Sequence, residues 1–151
     1  MPRPTPRFPT RVLLAVDGSA SSDLARDHAL ALVHDTRSEL HVLHVGLLSA
    51  WTNSKTLNRE QRDRVEQEAR VMLDAEVAHL RTVDPGLDLH EHVRVGRAVD
   101  QILRLRDEIE ADLIVLGSRG LNTFTRVLLG SDAESVVRHA PCPVLVVRRD
   151  R

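Results

Sequence analysis

Five strand-like segments, each separated from the next by a stretch of helical periodicity, set the tightest limit on how this chain of 151 residues can fold. Arg11-Val12-Leu13-Leu14-Ala15-Val16 is the first and Leu40-His41-Val42-Leu43-His44-Val45 the second, with Asp112 to Leu116 the fourth and Pro143 to Arg148 the fifth. Short, nearly unbroken apolar runs of this kind fit strands buried on both faces. The third segment differs, because Leu87, Leu89, Val93 and Val95 alternate with Asp88, His90, His92 and Arg94. Alternation predicts one wet face or a place near a sheet edge.

Between these segments the apolar positions recur at helical spacing. Leu24, Ala25, Ala29 and Leu32 mark a helix running to about His34, with Ser19, Ser21 or Ser22 as its cap. A long amphipathic helix is predicted from Asn58 to about Thr82, buried through Val65, Ala69, Met72, Leu73, Val77 and Leu80, and Asp84-Pro85-Gly86 stops it. Ala98, Ile102, Leu105 and Ile109 predict a helix over Arg97 to Glu110, and a shorter one spans Ser131 to His139. Residues 46–57, which include Trp51, lack periodicity and read as a surface loop. Residues 1–10, with four prolines among the first nine, read as an extended lead-in to a single domain over 11–151.

Strands alternating with helices favour a mostly parallel sheet covered by helices on both faces. In such sheets ligands bind beyond the carboxyl ends of the strands, where neighbouring connections leave in opposite directions. Asp17 follows the first strand directly and Gly117 the fourth. If those strands are neighbours, both residues face one crevice.

The segment from Gly117 to Ser131 carries the chemistry. It holds three of the seven glycines at the spacing G-x2-G-x9-G-S, after an apolar strand and before a helix. Glycine allows close backbone approach, and bare N–H groups at a helix start favour anions. A nucleotide or another phosphorylated ligand is therefore expected. Two familiar nucleotide motifs are absent, since no G-x-x-x-x-G-K-[ST] loop occurs and no G-x-G-x-x-G follows the first strand. The net charge of -1 supplies no field to recruit nucleic acid or an anionic membrane. No run of eighteen apolar residues and no apolar leader core occurs, and one cysteine, Cys142, rules out an intrachain disulfide, so a cytoplasmic setting is expected.

The segments R-V-L-L-A-V-D-G-S-A-S-S and G-S-R-G-L-N-T-F-T-R-V-L-L-G-S, with L-H-V-L-H-V and P-C-P-V-L-V-V, resemble the universal stress protein family from about Arg11 to Arg148. The resemblance implies a Rossmann-like α/β fold, an open parallel five-stranded sheet of order 3-2-1-4-5 with helices on both faces. In ATP-binding members the acid after the first strand contacts the nucleoside, which here is Asp17, with Ala15 and Val45 beside the adenine. Gly117, Gly120, Gly130 and Ser131 match the loop that holds ribose and phosphates, Gly120 allowing backbone approach and Gly130 and Ser131 presenting N–H groups and a hydroxyl. Arg119 is assigned a phosphate contact. The resemblance further implies bound ATP, with Mg2+ or Mn2+ on its phosphates, and a homodimer through the edge strand Val144 to Val147.

No lysine is placed to neutralise a γ-phosphate and no dedicated base is evident, so ATP is expected to act as a signal with little hydrolysis. The alternative is an interaction protein of the same fold that holds no nucleotide. His90 and His92 share a strand face and are expected to be solvated, while His41 and His44 point to opposite faces and form no pair. Cys142, between two prolines, is expected to be an inert packed thiol.

Overall fold

Strand β1 (Arg11–Ala15) lies at the centre of a five-stranded sheet in the computed structural model, which describes residues 7–47, 57–119 and 129–149. The remaining elements are α1 (Ala20–Thr36), β2 (Glu39–Leu47), α2 (Arg59–Val83), β3 (Leu89–Gly96), α3 (Ala98–Ile109), β4 (Leu113–Gly117), α4 (Ser131–His139) and β5 (Val144–Val147). The sheet order is β3-β2-β1-β4-β5 and each pairing is parallel. This is the expected α/β architecture, with the alternating third strand at one edge.

Side-chain alternation along the strands divides the core in two. Val12, Leu14, Leu40, Val42 and Val115 meet Ala25, Ala29 and Val33 of α1 and Leu73, Val77 and Leu80 of α2. On the opposite face Leu13, Leu43, Val45, Ile114 and Leu116 meet Ile102 and Leu105 of α3 and Ala133 and Val136 of α4. The largest fully buried side chains are leucine, isoleucine and valine, so this core is aliphatic. Branched aliphatic chains suit the pleated, doubly covered surface of a parallel sheet.

Local chemistry sets the helix ends. Ser19 is the α1 cap and accepts from Ser22 N, whereas Ser21 and Ser22 lie inside the helix and are buried. Asn58 and Gln61 form a reciprocal capping box at the start of α2. Arg37 and Glu110 end α1 and α3 in the left-handed conformation, each cap N–H returning to a carbonyl four residues earlier. Gly46 and Leu47 belong to β2 and not to the loop expected over 46–57, whose residues 48–56 lie outside the described structure, as do residues 1–6 of the lead-in. Among the described residues no helix is long and apolar enough to cross a membrane.

At the amino ends of β1 and β4, Asp112 joins the two strands. Its carboxylate accepts from Thr10 N at 2.8 Å, Arg11 N at 2.9 Å and the Thr10 hydroxyl at 3.1 Å. Burial alone would raise this carboxyl's pKa, but the Arg11 and Thr10 donors outweigh it and hold it below the ordinary value of 3.8. A depressed carboxyl stabilises the fold fully above its unfolded pKa, and that share disappears as pH falls through the folded value. Asp112→Asn is expected to cost about 1–3 kcal/mol at neutral pH, because an amide donor then faces a donor. Urea denaturation checks this, and the gap between variant and wild type should narrow toward about pH 3.

Candidate functional site

A cleft of about 590 Å³ opens beyond the carboxyl ends of β1, β2 and β4, within the size range of small-molecule sites. Its floor and walls include Ala15, Val45, Ile102, Leu116 and Ala133, and its polar groups include Asp17, Ser22, His44, Glu68, Arg119, Ser131 and Asp132. Of the eight residues singled out from the sequence, Ala15, Asp17, Val45, Gly117, Arg119, Gly130 and Ser131 all line it. Gly120 lies outside the described residues.

The turn after β1 is held from several sides. Asp17 N donates to Ser22 Oγ at 3.1 Å, and Asp17 Oδ1 accepts from Ser19 N at 2.9 Å. Asp17 Oδ2 has no partner among the described residues, so the turn occupies only one of its oxygens. Gly18 takes φ +80, a conformation that a side chain would strain. Ser19 Oγ donates to Arg119 O at 3.2 Å, tying this turn to the loop after β4. His44 lies within hydrogen-bond reach of Val16 O at 2.7 Å. A carbonyl only accepts, so Nδ1 carries a proton and donates to it.

Gly117 has a structural reason as well as a place in the cleft. A Cβ built there would stand 2.6 Å from Ser21 C and 2.8 Å from Ser21 O, so only glycine lets the first turn of α1 rest against the end of β4. Gly130 departs from its expected role. Its N–H donates to Ser118 O at 2.7 Å, closing the loop across its base, and so is not offered to a ligand. The first backbone bond of α4 runs from Glu134 N to Gly130 O. The amides of Ser131, Asp132 and Ala133 have no partner among the described residues, and no side chain caps this helix. Donors left without a described partner at the positive end of a helix dipole are suited to an anion.

Charge in the cleft opposes that anion in part. Among the described residues that line it, Asp17, Glu68 and Asp132 are carboxylates and Arg119 is the one guanidinium. Sequence spacing gave no signal for Glu68, which reaches the cleft from the middle of α2, although Asp132 and His44 adjoin residues already singled out. A polyphosphate fits this lining best with divalent cations on its oxygens, which Asp17, Glu68 and Asp132 could help to hold.

Two expectations outside the cleft fare differently. Burial pushes the Cys142 thiol up against the pull of Arg106, as suits an inert packed cysteine. Of the two histidines expected to be solvated, His90 is exposed and His92 is half-buried. His41 is 6% exposed, its Nδ1 stands 2.9 Å from His92 Nε2, and its ring stacks on His90 with centroids 4.4 Å apart. Burial lowers His41, and burial followed by the neighbouring His41 lowers His92 to about 4. The parallel register, which sets His41 beside His90, brings this cluster together.

The sequence profile of the Universal stress protein family matches residues 9–148. Universal stress protein G from Shigella flexneri is 41% identical over 133 residues, covering 84% of this chain and 89% of that protein. Among solved structures, universal stress protein UspA from Lactobacillus plantarum superposes with a TM-score of 0.78 at 29% identity, covering 92% of this chain and 97% of its own. A universal stress protein in complex with cAMP superposes at 0.59 with 28% identity, covering 91% of this chain and 96% of its own.

The close approach at Gly117 yields a direct test. Gly117→Ala is expected to cost about 1–3 kcal/mol in urea denaturation, since backbone atoms of α1 would have to retreat. An unchanged midpoint would mean that the first turn of α1 moves freely.

Proposed function

Because the chain belongs to the universal stress protein family, we propose that its cleft binds ATP, with Mg2+ or Mn2+ on the phosphates, and holds it as a signal with little hydrolysis. The observation that carries this reading is the start of α4, where Ser131, Asp132 and Ala133 have no amide partner among the described residues and line the same cleft as Asp17 and the apolar patch of Ala15 and Val45. The adenine would lie against Ala15 and Val45. Asp17 would accept from the ribose hydroxyls, and the phosphates would sit on the amides of Ser131 to Ala133 near Arg119. The relative solved in complex with cAMP supports an adenine nucleotide as the ligand class. A cytoplasmic setting, where ATP is abundant, accords with the single cysteine.

Each protein group serves binding. The amides and Arg119 neutralise charge, and Asp17 orients the sugar. A divalent metal, held with the phosphates by Asp17, Glu68 and Asp132, would supply the positive charge that offsets repulsion between those carboxylates and the ligand. Fast phosphoryl transfer needs a positioned nucleophile and charge stabilisation at the γ-phosphate. The sequence has one lysine, Lys55, and offers no P-loop to place it there.

ATP with Mg2+ at about 100 times its Kd is expected to stabilise the fold by about 2.7 kcal/mol. Ser131→Glu separates binding from folding. A carboxylate at a helix start is stabilising by about 0.3–1 kcal/mol, yet it would repel the phosphates, so ATP affinity should fall at least tenfold while the melting temperature without ligand holds or rises. Calorimetric titration reads both, and a wild type that neither binds ATP nor gains stability from it would overturn the nucleotide reading.

Self-association is the second part of the proposal. Among the described residues β5 pairs only with β4, at the edge of the sheet, and Leu145 of this strand is 38% exposed. An unprotected, β-branched edge strand invites pairing with a second copy. Light scattering at micromolar concentration should give twice the chain mass, and Leu145→Arg should return it to one; a monomeric wild type would rule the dimer out.

A further inference from the structure

The histidine cluster lies at the opposite end of the strands from the cleft, and nothing in the nucleotide reading uses it. Glu39 and His41 are two apart on β2 and so share a face, and the ladder sets His90 of β3 beside His41. Ligand atoms from Glu39, His41 and His90 all lie within 4.8 Å of one another. Two imidazoles and a carboxylate, on neighbouring strands and open to solvent through Glu39 and His90, form a donor set suited to a borderline divalent ion and poorly suited to Mg2+ or Ca2+.

We propose that Glu39, His41 and His90 bind a zinc-class divalent ion at the amino-terminal end of the β2–β3 ladder, with water completing its coordination.

Hydrogen-bond partners of the two imidazoles set which ring nitrogen is available to an ion. His90 Nε2 stands 2.9 Å from Asp88 Oδ1. A carboxylate only accepts, so Nε2 holds a proton, and in the neutral ring Nδ1 is the atom available to an ion. A carboxylate behind a ligating imidazole is a recurrent support for bound metal. His41 Nε2 stands 3.1 Å from Glu39 Oε2, and His41 Nδ1 stands 2.9 Å from His92 Nε2. With no ion bound, Nε2–H donates to Glu39 and Nδ1 accepts from His92 Nε2–H. When an ion takes the place of that Nε2 proton, His41 carries its proton on Nδ1 and donates to His92 Nε2, while the His92 proton moves to its own Nδ1. Both rings stay neutral and none of their protons is lost overall.

The remaining adjustments are small. Ligands of a tetrahedral ion with bonds of about 2.0–2.1 Å lie roughly 3.3 Å apart, which Glu39 and His41 already approach at 3.1 Å. His90 must turn toward them, and its side chain, 44% exposed, has room to do so. Arg11 competes for Glu39 at 3.2 Å, but it has a second carboxylate, Glu110, at 3.8 Å to which it can swing.

Calorimetric titration of the tag-free, chelator-washed, nucleotide-free protein with ZnCl2 tests the proposal, with MgCl2 as the comparison ion. One Zn2+ per chain should bind and Mg2+ should not. Affinity should fall at least tenfold in His90→Gln and in Glu39→Gln, and about 10–100-fold in His92→Gln, which removes an orienting partner only. Co2+ in place of Zn2+ should give the visible absorption of a tetrahedral nitrogen and oxygen site in the wild type and lose it in His90→Gln. His90 is exposed, so that variant should keep the metal-free melting temperature. No Zn2+ uptake, or equal uptake by wild type and His90→Gln, would overturn the site. Because the cluster and the cleft sit at opposite ends of the sheet, ATP binding should be the same in His90→Gln and wild type, and either property can fail alone.

Discussion

Leu13 and Ile114 lie side by side at the middle of the sheet, and the parallel pairing of β1 with β4 that they represent governs most of what surrounds them. From β1 the chain travels outward through β2 to β3, then returns to start again on the other side through β4 to β5. Parallel connections cross with one hand, so this reversal sends α1 and α2 to one face and α3 and α4 to the other. It also parts the loops after β1 and β4, and the cleft lies between them. Gly117 shows how tightly this geometry is set, since the end of β4 and the first turn of α1 leave no room for a single β-carbon.

A parallel sheet places like ends of its strands together, and the two ends of this one have different chemistry. At the carboxyl ends, helix starts meet the loops, so unpartnered amides and turn residues gather around the cleft. At the amino ends the same parallel order brings together groups that hold strands to one another. Asp112 ties β4 to the approach into β1, and Glu39 and His41 face His90 and His92 across the β2–β3 ladder. Here α3 ends at Ile109 and β3 is only half covered, so polar side chains can stand on a sheet face that elsewhere is apolar.

Much of this was legible because local rules and tertiary packing agree. The apolar runs of β1, β4 and β5 have few other ways to be buried, and the alternation of β3 fits either one wet face or an edge, of which the sheet order gives the edge. The departures are equally physical. Gly46 and Leu47 extend β2 because β3 offers them ladder partners, Val95 and Gly96, that a reading of one segment cannot see. Gly130 gives its amide to Ser118 because the loop must close across its own base. His41 was read against His44, its neighbour in sequence, whereas its real neighbours are His90 and His92, about fifty residues on.

Periodicity and turn chemistry, being properties of adjacent residues, determined on their own the number and order of the elements, the half-polar pattern of β3, and the candidacy of Asp17 and the glycine segment. Distances between elements were decided only by the fold, because they depend on strand register and on which helix covers which face. Register put Glu39, His41, His90 and His92 on one patch of sheet, and the packing of α2 against β2 brought Glu68 to the cleft. Among the described residues the amides at the start of α4 have no partner, whereas Ser19 and Asn58 close over those of α1 and α2. Sequence could name the donors of a binding site; only the folded backbone could settle which of them remain free.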